Sequence, residues 1–192
     1  MIKDIFILGS TGSIGHSTLR VLKKDKKNFK IKLLTTNKNV KKILNQAINF
    51  NVKNVIIFDK SKFHKYEKNF IKKKIKVFFS LEDALKKIKK KSYLTINAIS
   101  GIEGLEPSIK IIKFTKNLAL ANKESIICGW KFINRELNKN KTNFIPLDSE
   151  HFSIWSLLKN ENKRNVKKIY LTASGGPFLN KKLDSLKYIK PK

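Results

Sequence analysis

The 192-residue chain contains a single cysteine, Cys128, so no disulfide can form within it and a reducing, cytoplasmic compartment is expected. That lone thiol reads as buried or incidental rather than as a nucleophile. No apolar run approaches the roughly 18–20 residues that span a bilayer, which predicts no membrane anchor. A strand pattern begins at residue 2, which predicts neither a signal nor a transit peptide. Prolines number four and glycines eight, with no repeat and no low-complexity linker. The length suits one large domain, or one domain and part of another, with a core that needs neither disulfide nor metal.

Acidic residues are scarce as well. Fourteen Asp and Glu face 43 Lys and Arg, a formal net charge of +29. Such an excess commonly marks a nucleic-acid or anionic-membrane binder. Arginine, however, is nearly missing: Arg20, Arg135 and Arg164 are the three, and the other 40 basic residues are Lys. Base and phosphate forks favour the planar guanidinium, and the lysines are scattered over every predicted helix and loop. The sequence therefore predicts no nucleic-acid and no membrane partner. Small anionic substrates would still be steered by this field.

What the chain does have is IFILGSTGSIG, residues 5–15. Four apolar residues run into Gly9, Gly12 and Gly15, the pattern of a buried parallel strand and a glycine-rich turn that opens a helix. Gly9 suits the tight turn, Gly12 the close approach of a pyrophosphate, and Gly15 close helix–strand packing. The helix N-terminus beyond offers free N–H groups and a positive dipole end to an anion.

Strand and helix signals then alternate. Helices are predicted over 13–24 (Ile14, Thr18, Val21 and Leu22 inward), 40–49 (Ile43, Leu44, Ala47 and Ile48 inward), 62–74, 82–89 (Ala84, Leu85 and Ile88 inward), 105–114, 123–138 and 151–158. Strands are predicted over 29–35, 54–58, 75–79, 93–99, 117–121, 143–147 and 166–172. The pattern predicts an α/β fold: a Rossmann-like doubly wound parallel sheet over residues 1–147, then the start of an α+β catalytic domain over 148–192. Ligands of such a sheet sit at the carboxyl ends of its strands.

A site that prefers NAD places an acid about 20 residues past the glycines. Thr35 stands there, followed by Thr36-Asn37-Lys38-Asn39, with no carboxylate and with a lysine that can meet a 2′-phosphate. NADPH is the expected cofactor. Three further polar clusters end later strands: Ala121-Asn122-Lys123-Glu124-Ser125, Pro146-Leu147-Asp148-Ser149-Glu150-His151, and Thr172-Ala173-Ser174-Gly175-Gly176-Pro177-Phe178. Asp148 and Glu150 are hard oxygen donors suited to Mg²⁺ or Mn²⁺ (Co²⁺ being possible), or else Asp148 or Ser149 caps a helix. His16 and His64 lie in lysine-rich helical stretches and read as surface residues.

Taken in order, GSTGSIG, LANKES, PLDSEH and LTASGGPF resemble the 1-deoxy-D-xylulose 5-phosphate reductoisomerases, in their NADPH-binding domain and the beginning of their catalytic domain. The resemblance implies that Thr11, Gly12, Ser13 and Ile14 hold the cofactor's phosphates. It puts Asn37, Lys38 and Asn39 near the adenosine ribose and 2′-phosphate, with Asn37 standing where the family usually has glycine. Asn122 and Glu124 match positions near the cofactor, and Lys123 one that contacts substrate. Asp148 and Glu150 match metal ligands, Glu150 also bordering substrate; Ser149 and Ser174 match substrate-binding positions. Lys123, Asp148 and Glu150 are thereby the candidate catalytic residues.

The implied reaction is metal- and NADPH-dependent. A phosphorylated sugar, 1-deoxy-D-xylulose 5-phosphate, rearranges and is then reduced to 2-C-methyl-D-erythritol 4-phosphate, in the non-mevalonate route to isoprenoids. The family continues past this chain with a lid, further phosphate ligands, a third metal carboxylate and a helical region, and its members are homodimers. The 192 residues alone are therefore expected to bind NADPH without turning over substrate. The competing readings are another NADP-dependent dehydrogenase, such as an aspartate-semialdehyde dehydrogenase, which needs a catalytic cysteine that Cys128 fits poorly, and a lone NADP-binding module.

Overall fold

A computed structural model describes residues 2–170, 178 and 180–189. Its dominant feature is a seven-stranded sheet with every pairing parallel, in the order β4-β3-β2-β1-β5-β6-β7. The strands are β1 (Lys3–Leu8), β2 (Phe29–Thr36), β3 (Asn54–Ile57), β4 (Lys76–Phe78), β5 (Ser92–Asn97), β6 (Thr115–Leu120) and β7 (Asn143–Pro146). Helices α1 (Ser13–Lys24), α2 (Val40–Asn49), α3 (Lys60–Ile71), α4 (Leu81–Ile88), α5 (Leu105–Ile111) and α6 (Lys123–Asn140) make the crossovers. The chain winds outward from β1 to β4, then returns to pair β5 with the other side of β1. That reversal opens a crevice at the carboxyl ends of β1 and β5, where ligands of doubly wound sheets bind.

β1 shows why both faces of the sheet are dry. Successive side chains of a strand point to opposite faces. Ile5 and Ile7 join one buried cluster with Leu19, Leu22, Val40, Ile43 and Phe70 from α1, α2 and α3. Phe6 and Leu8 join a second with Ala84, Leu85, Ile111, Ile133 and Leu137 from α4, α5 and α6. A continuous apolar run is what a strand covered on both sides requires. Each fully buried Phe or Ile contributes about 1.5–3 kcal/mol relative to exposure.

Two helices are turned from the faces expected of them. α1 buries Gly15, Leu19 and Leu22, while Ile14 and Val21 are exposed and Thr18 is half-buried. The close seat of Gly15 under the preceding turn sets the rotation and overrides the apolar stripe. α2 buries Val40, Ile43, Gln46 and Ala47 and leaves Ile48 exposed, because the polar Gln46 is drawn inward by hydrogen bonds to Ser10. The last three residues of the predicted 105–114 helix tighten into a 3₁₀ turn, Ile112–Phe114, before β6.

A compact first unit ends at Asp148, and a second begins at Ser149. Helix α7 (Ser149–Leu158) opens the second, two residues before the predicted start, and none of its residues is buried. Within it Phe152 and Trp155 stack at 5.8 Å between ring centres, with the Lys159 ammonium 5.0 Å from the Trp155 ring. Short 3₁₀ turns cover Lys163–Asn165 and Leu183–Tyr188. The strand predicted over 166–172 is missing from its described part: Val166–Tyr170 is irregular, with Ile169 and Tyr170 exposed. A strand needs a hydrogen-bonded neighbour, and the described residues supply none. Leu171, Thr172, Ser174 and the rest of the LTASGGP run lie outside the described residues.

Candidate cofactor site

The turn between β1 and α1 is shaped by its glycines. Gly9 has φ +73°, and a Cβ there would stand 2.9 Å from the Ala98 carbonyl carbon at the end of β5. Such a backbone favours glycine. A Cβ on Gly15 would lie 2.5 Å from the Gly9 oxygen and 2.6 Å from the Ser10 Cα. Gly12 differs from both. A Cβ there would meet nothing nearer than the Gly9 oxygen at 3.5 Å, an ordinary contact. Packing in the fold leaves room for a side chain at position 12. Gly12 also stands at the N-cap of α1, where no side chain caps the helix, so the first-turn N–H groups are open to an anion.

β2 braces this turn. The Gly9 N–H donates to the Thr35 hydroxyl at 2.9 Å, the Ser10 N–H donates to the Thr35 carbonyl at 3.0 Å, and the Thr11 and Thr36 hydroxyls bond at 2.8 Å. Gln46 of α2 grips Ser10 twice, accepting from its hydroxyl at 2.8 Å and donating to its carbonyl at 2.9 Å. Lys42 donates from Nζ to the Thr11 carbonyl at 2.7 Å. Asn39 caps α2, its side chain accepting from the Lys42 N–H.

The β5 side is organised by two buried amides. Asn97 donates to the Gly104 carbonyl at 2.9 Å and the Ser108 hydroxyl at 2.7 Å, and accepts from the Ile99 N–H at 3.1 Å. Asn122 accepts the Ser125 N–H, capping α6, and donates to the Ile99 carbonyl at 2.7 Å. Both fix the Ala98–Gly104 loop across from the glycine turn.

Between these banks lies a cleft of about 660 Å³. Gly9, Thr11, Gly12, Thr35, Thr36 and Asn37 form one wall, and Ala98, Ile99, Ser100, Ile102 and Pro107 face them. Phe58, Phe79 and Leu81 add apolar surface, and Glu82, Glu103, Glu106 and Lys110 stand on the α4–α5 side. Lys110 is held by Glu82 at 2.5 Å and Glu106 at 2.6 Å. The Lys110 hydrogen bond holds the Glu82 carboxyl below its ordinary range, and the bonds to Glu106 and then Glu82 raise Lys110.

Of the residues expected to hold the cofactor, Thr11, Gly12 and Asn37 line this cleft. Ser13 and Ile14 are exposed in the first turn of α1, and Lys38 and Asn39 are exposed beside it in the β2–α2 loop. Asn37 is not among the described residues with positive φ, so its backbone asks for nothing that a glycine would supply. Asn122 is buried, its amide spent on α6 and Ile99, whereas Lys123 and Glu124 are exposed at the start of α6. Asp148 closes the first unit; Ser149 and Glu150 are helical in the second, the Ser149 hydroxyl donating to Glu150 Oε2 at 2.7 Å. Among the described residues, no group of three or more His, Cys, Asp or Glu gathers at one point. No described helix is long and apolar enough to cross a membrane. Cys128 is exposed on α6, as are His16 on α1 and His64 on α3.

Sequence patterning missed Gln46, Lys42 and Asn97. The only signal for Gln46 was a polar residue on the buried stripe of α2; nothing local pointed to the other two.

The sequence model of 1-deoxy-D-xylulose 5-phosphate reductoisomerase matches residues 5–129, and that of the enzyme's C-terminal domain matches residues 144–192. The chain is 55% identical to the reductoisomerase of Pelagibacter ubique over 99% of its own length, and 40% identical to that of a Wolbachia from Culex pipiens over 97%. It spans about half the length of these relatives, 50% and 48%. A reductoisomerase from Zymomonas mobilis, solved in complex with NADPH, superposes with a TM-score of 0.84 at 30% identity, covering 96% of this chain and 49% of that one. A reductoisomerase in complex with NADPH, fosmidomycin and magnesium superposes with a TM-score of 0.81 at 25% identity, covering 96% and 48%. The glycine turn, the β5 loop and the start of α6 fall within residues 5–129, and a Rossmann-like α/β unit carries them: the chain belongs to the 1-deoxy-D-xylulose 5-phosphate reductoisomerase family.

Proposed function

We propose that the cleft binds NADPH, with its phosphates at the glycine turn. The observation that carries this reading is the pair Gly12 and Gly15: the fold requires glycine at 15, while at 12 it leaves room for a side chain and a close-lying ligand would require the glycine. Thr11, Ser13 and Ile14 would supply the hydroxyl and N–H groups around the phosphates. Asn37, Lys38 and Asn39 would border the adenosine ribose and its 2′-phosphate, where no carboxylate follows Thr35. NADPH in the related structures supports the choice of cofactor.

In the longer protein to which family relatives correspond, these residues would serve the conversion of 1-deoxy-D-xylulose 5-phosphate to 2-C-methyl-D-erythritol 4-phosphate. Residues 1–147 would form the NADPH-binding domain and 148–192 the beginning of the catalytic domain. Asp148 and Glu150 offer the hard carboxylate donors that Mg²⁺ or Mn²⁺ takes, and the Ser149 hydroxyl already steadies Glu150. A bound ion would supply Lewis acidity toward the substrate's oxygens, and bound NADPH the hydride. Lys123 would hold a substrate oxygen by charge, and Ser149, Glu150 and Ser174 would orient the substrate. Asn122 would act on the cofactor through the Ile99 loop and Glu124 from the first turn of α6. Full-length relatives would act as homodimers in the cytoplasm.

The 192 residues by themselves would bind NADPH without consuming it. Fluorescence titration with NADPH, followed by an assay with 1-deoxy-D-xylulose 5-phosphate and Mg²⁺, tests both halves. Saturable binding with no NADPH oxidation is the expected result. Absence of binding would remove the cofactor reading, and oxidation would remove the division of labour.

A further inference from the structure

The two walls of the cleft differ in charge. The α4–α5 side carries Glu82, Glu103 and Glu106, and its lysine, Lys110, is already spent on two of them. In a protein with only 14 acidic residues, that is a concentrated negative edge. The opposite wall, from the glycine turn to Asn37, is lined by no carboxylate.

Lys42 stands behind this opposite wall. It lies in the first turn of α2, half-buried, with Nζ 2.7 Å from the Thr11 carbonyl. The Thr11 hydroxyl bonds Thr36, and the Thr36 hydroxyl also accepts the Asn39 N–H at 3.3 Å. Thr36 ends β2, next to the place where a carboxylate would read an unphosphorylated ribose. Lys42 is therefore linked, through the Thr11 carbonyl and the Thr11–Thr36 hydroxyl pair, to the end of β2. An ammonium has three N–H donors, and the Thr11 carbonyl uses one. Among the described residues no carboxylate forms an ion pair with Lys42. Lys38, in the loop before α2, is exposed and acts electrostatically on Asp59.

We propose that Lys42 is a specificity-determining residue: seated on the Thr11 carbonyl, it is a second cation, beside Lys38, that meets the 2′-phosphate of NADPH. This deepens the NADPH reading of the cleft and rests on it. Two roles combine in one side chain. The bond to Thr11 steadies the turn for either dinucleotide, and the charge distinguishes the phosphorylated one.

Titrations of the 192-residue chain with NADPH and with NADH, at low and moderate salt, test the assignment in the wild type, Lys42→Gln and Lys42→Arg. The expected result is a loss of about tenfold in NADPH affinity for Lys42→Gln, with NADH affinity changed less than about twofold and the preference kept by Lys42→Arg. The salt dependence of NADPH binding should flatten in Lys42→Gln. Equal losses for both cofactors would make Lys42 a brace of the turn only and overturn the proposal. So would an unchanged NADPH preference in Lys42→Gln. Equal affinities in the wild type would instead remove the NADPH reading itself, and Lys42 with it. Should Lys42→Gln fail to fold, Lys42→Met, which keeps the aliphatic stem, is judged by the same ratio.

Discussion

At Gly15 there is no room for a side chain, since the atoms a Cβ would strike are backbone atoms of Gly9 and Ser10 that cannot rotate away. Gly15→Ala should therefore cost about 1–3 kcal/mol, the range for forcing atoms into a packed site, read as a shift of the urea midpoint. Gly12→Ala tests the other kind of glycine. Its Cβ has ordinary space, so the loss of stability should not exceed the roughly 1 kcal/mol that a poorer N-cap costs, while NADPH affinity falls. A stable Gly12→Ala protein that binds NADPH like the wild type would show that nothing approaches this backbone. Gln46 acts differently, as a buried amide bonded twice to Ser10. Gln46→Leu leaves the Ser10 carbonyl and hydroxyl without that partner and should destabilise by about 1–3 kcal/mol.

Helices enter the site through their first turns. α1 offers its uncapped N-terminus to an anion, α2 brings Lys42 and the Asn39 cap, and α6 brings Asn122. Asn122 couples two elements, because one amide both caps α6 and holds the Ile99 carbonyl of the β5 loop. Asn122→Ala removes both bonds and should cost about 1–2 kcal/mol in stability. It should also raise hydrogen-exchange rates in the Ala98–Gly104 loop as well as at the start of α6. Faster exchange confined to α6 would mean the loop holds itself. Pro107, the third residue of α5, sits in the first turn, where its missing N–H removes no helical bond.

At the scale of the whole molecule the formal net charge is +29, against which the α4–α5 side of the cleft gathers Glu82, Glu103 and Glu106. There the Glu82 carboxyl is held below its ordinary value of 4.5 and the Lys110 ammonium above its ordinary 10.5. For Glu82, a lowered folded value means stability that is present above about pH 4.5 and is lost as pH falls through the lowered value. For Lys110, a raised folded value means stability present below pH 10.5 and lost as pH climbs through the raised value. All three side chains are substantially exposed, so the cluster should contribute less than about 1 kcal/mol. Lys110→Met should shrink the acid-side loss of stability between pH 5 and pH 3, measured by urea unfolding, relative to wild type. An identical pH profile in the variant would mean that solvent screening cancels the cluster.

Local pattern was enough to read the sheet unit. Seven apolar runs and the helices between them were legible because a doubly wound sheet buries each strand on both sides, and each β–α turn is punctuated locally. IFILGSTGSIG carried the roles of Gly9 and Gly15 in its spacing alone, and the order of four motifs carried the family. The rotation of α1 and α2 was not legible, because contacts across the turn, Gly15 on Gly9 and Gln46 on Ser10, outweigh an apolar stripe. Nor was the strand expected over 166–172, whose β-branched and aromatic residues suit a strand but find no neighbour in the described part. Asn97 and Asn122, 25 positions apart in the chain, meet at Ile99, and Lys42 reaches Thr11 across 31. Such pairs have no local signature. Sequence by itself determined the strands, the glycine turn and the family; only the tertiary structure decided which polar side chains were left to shape and charge the cleft, because a hydrogen bond depends on distance in space and not along the chain.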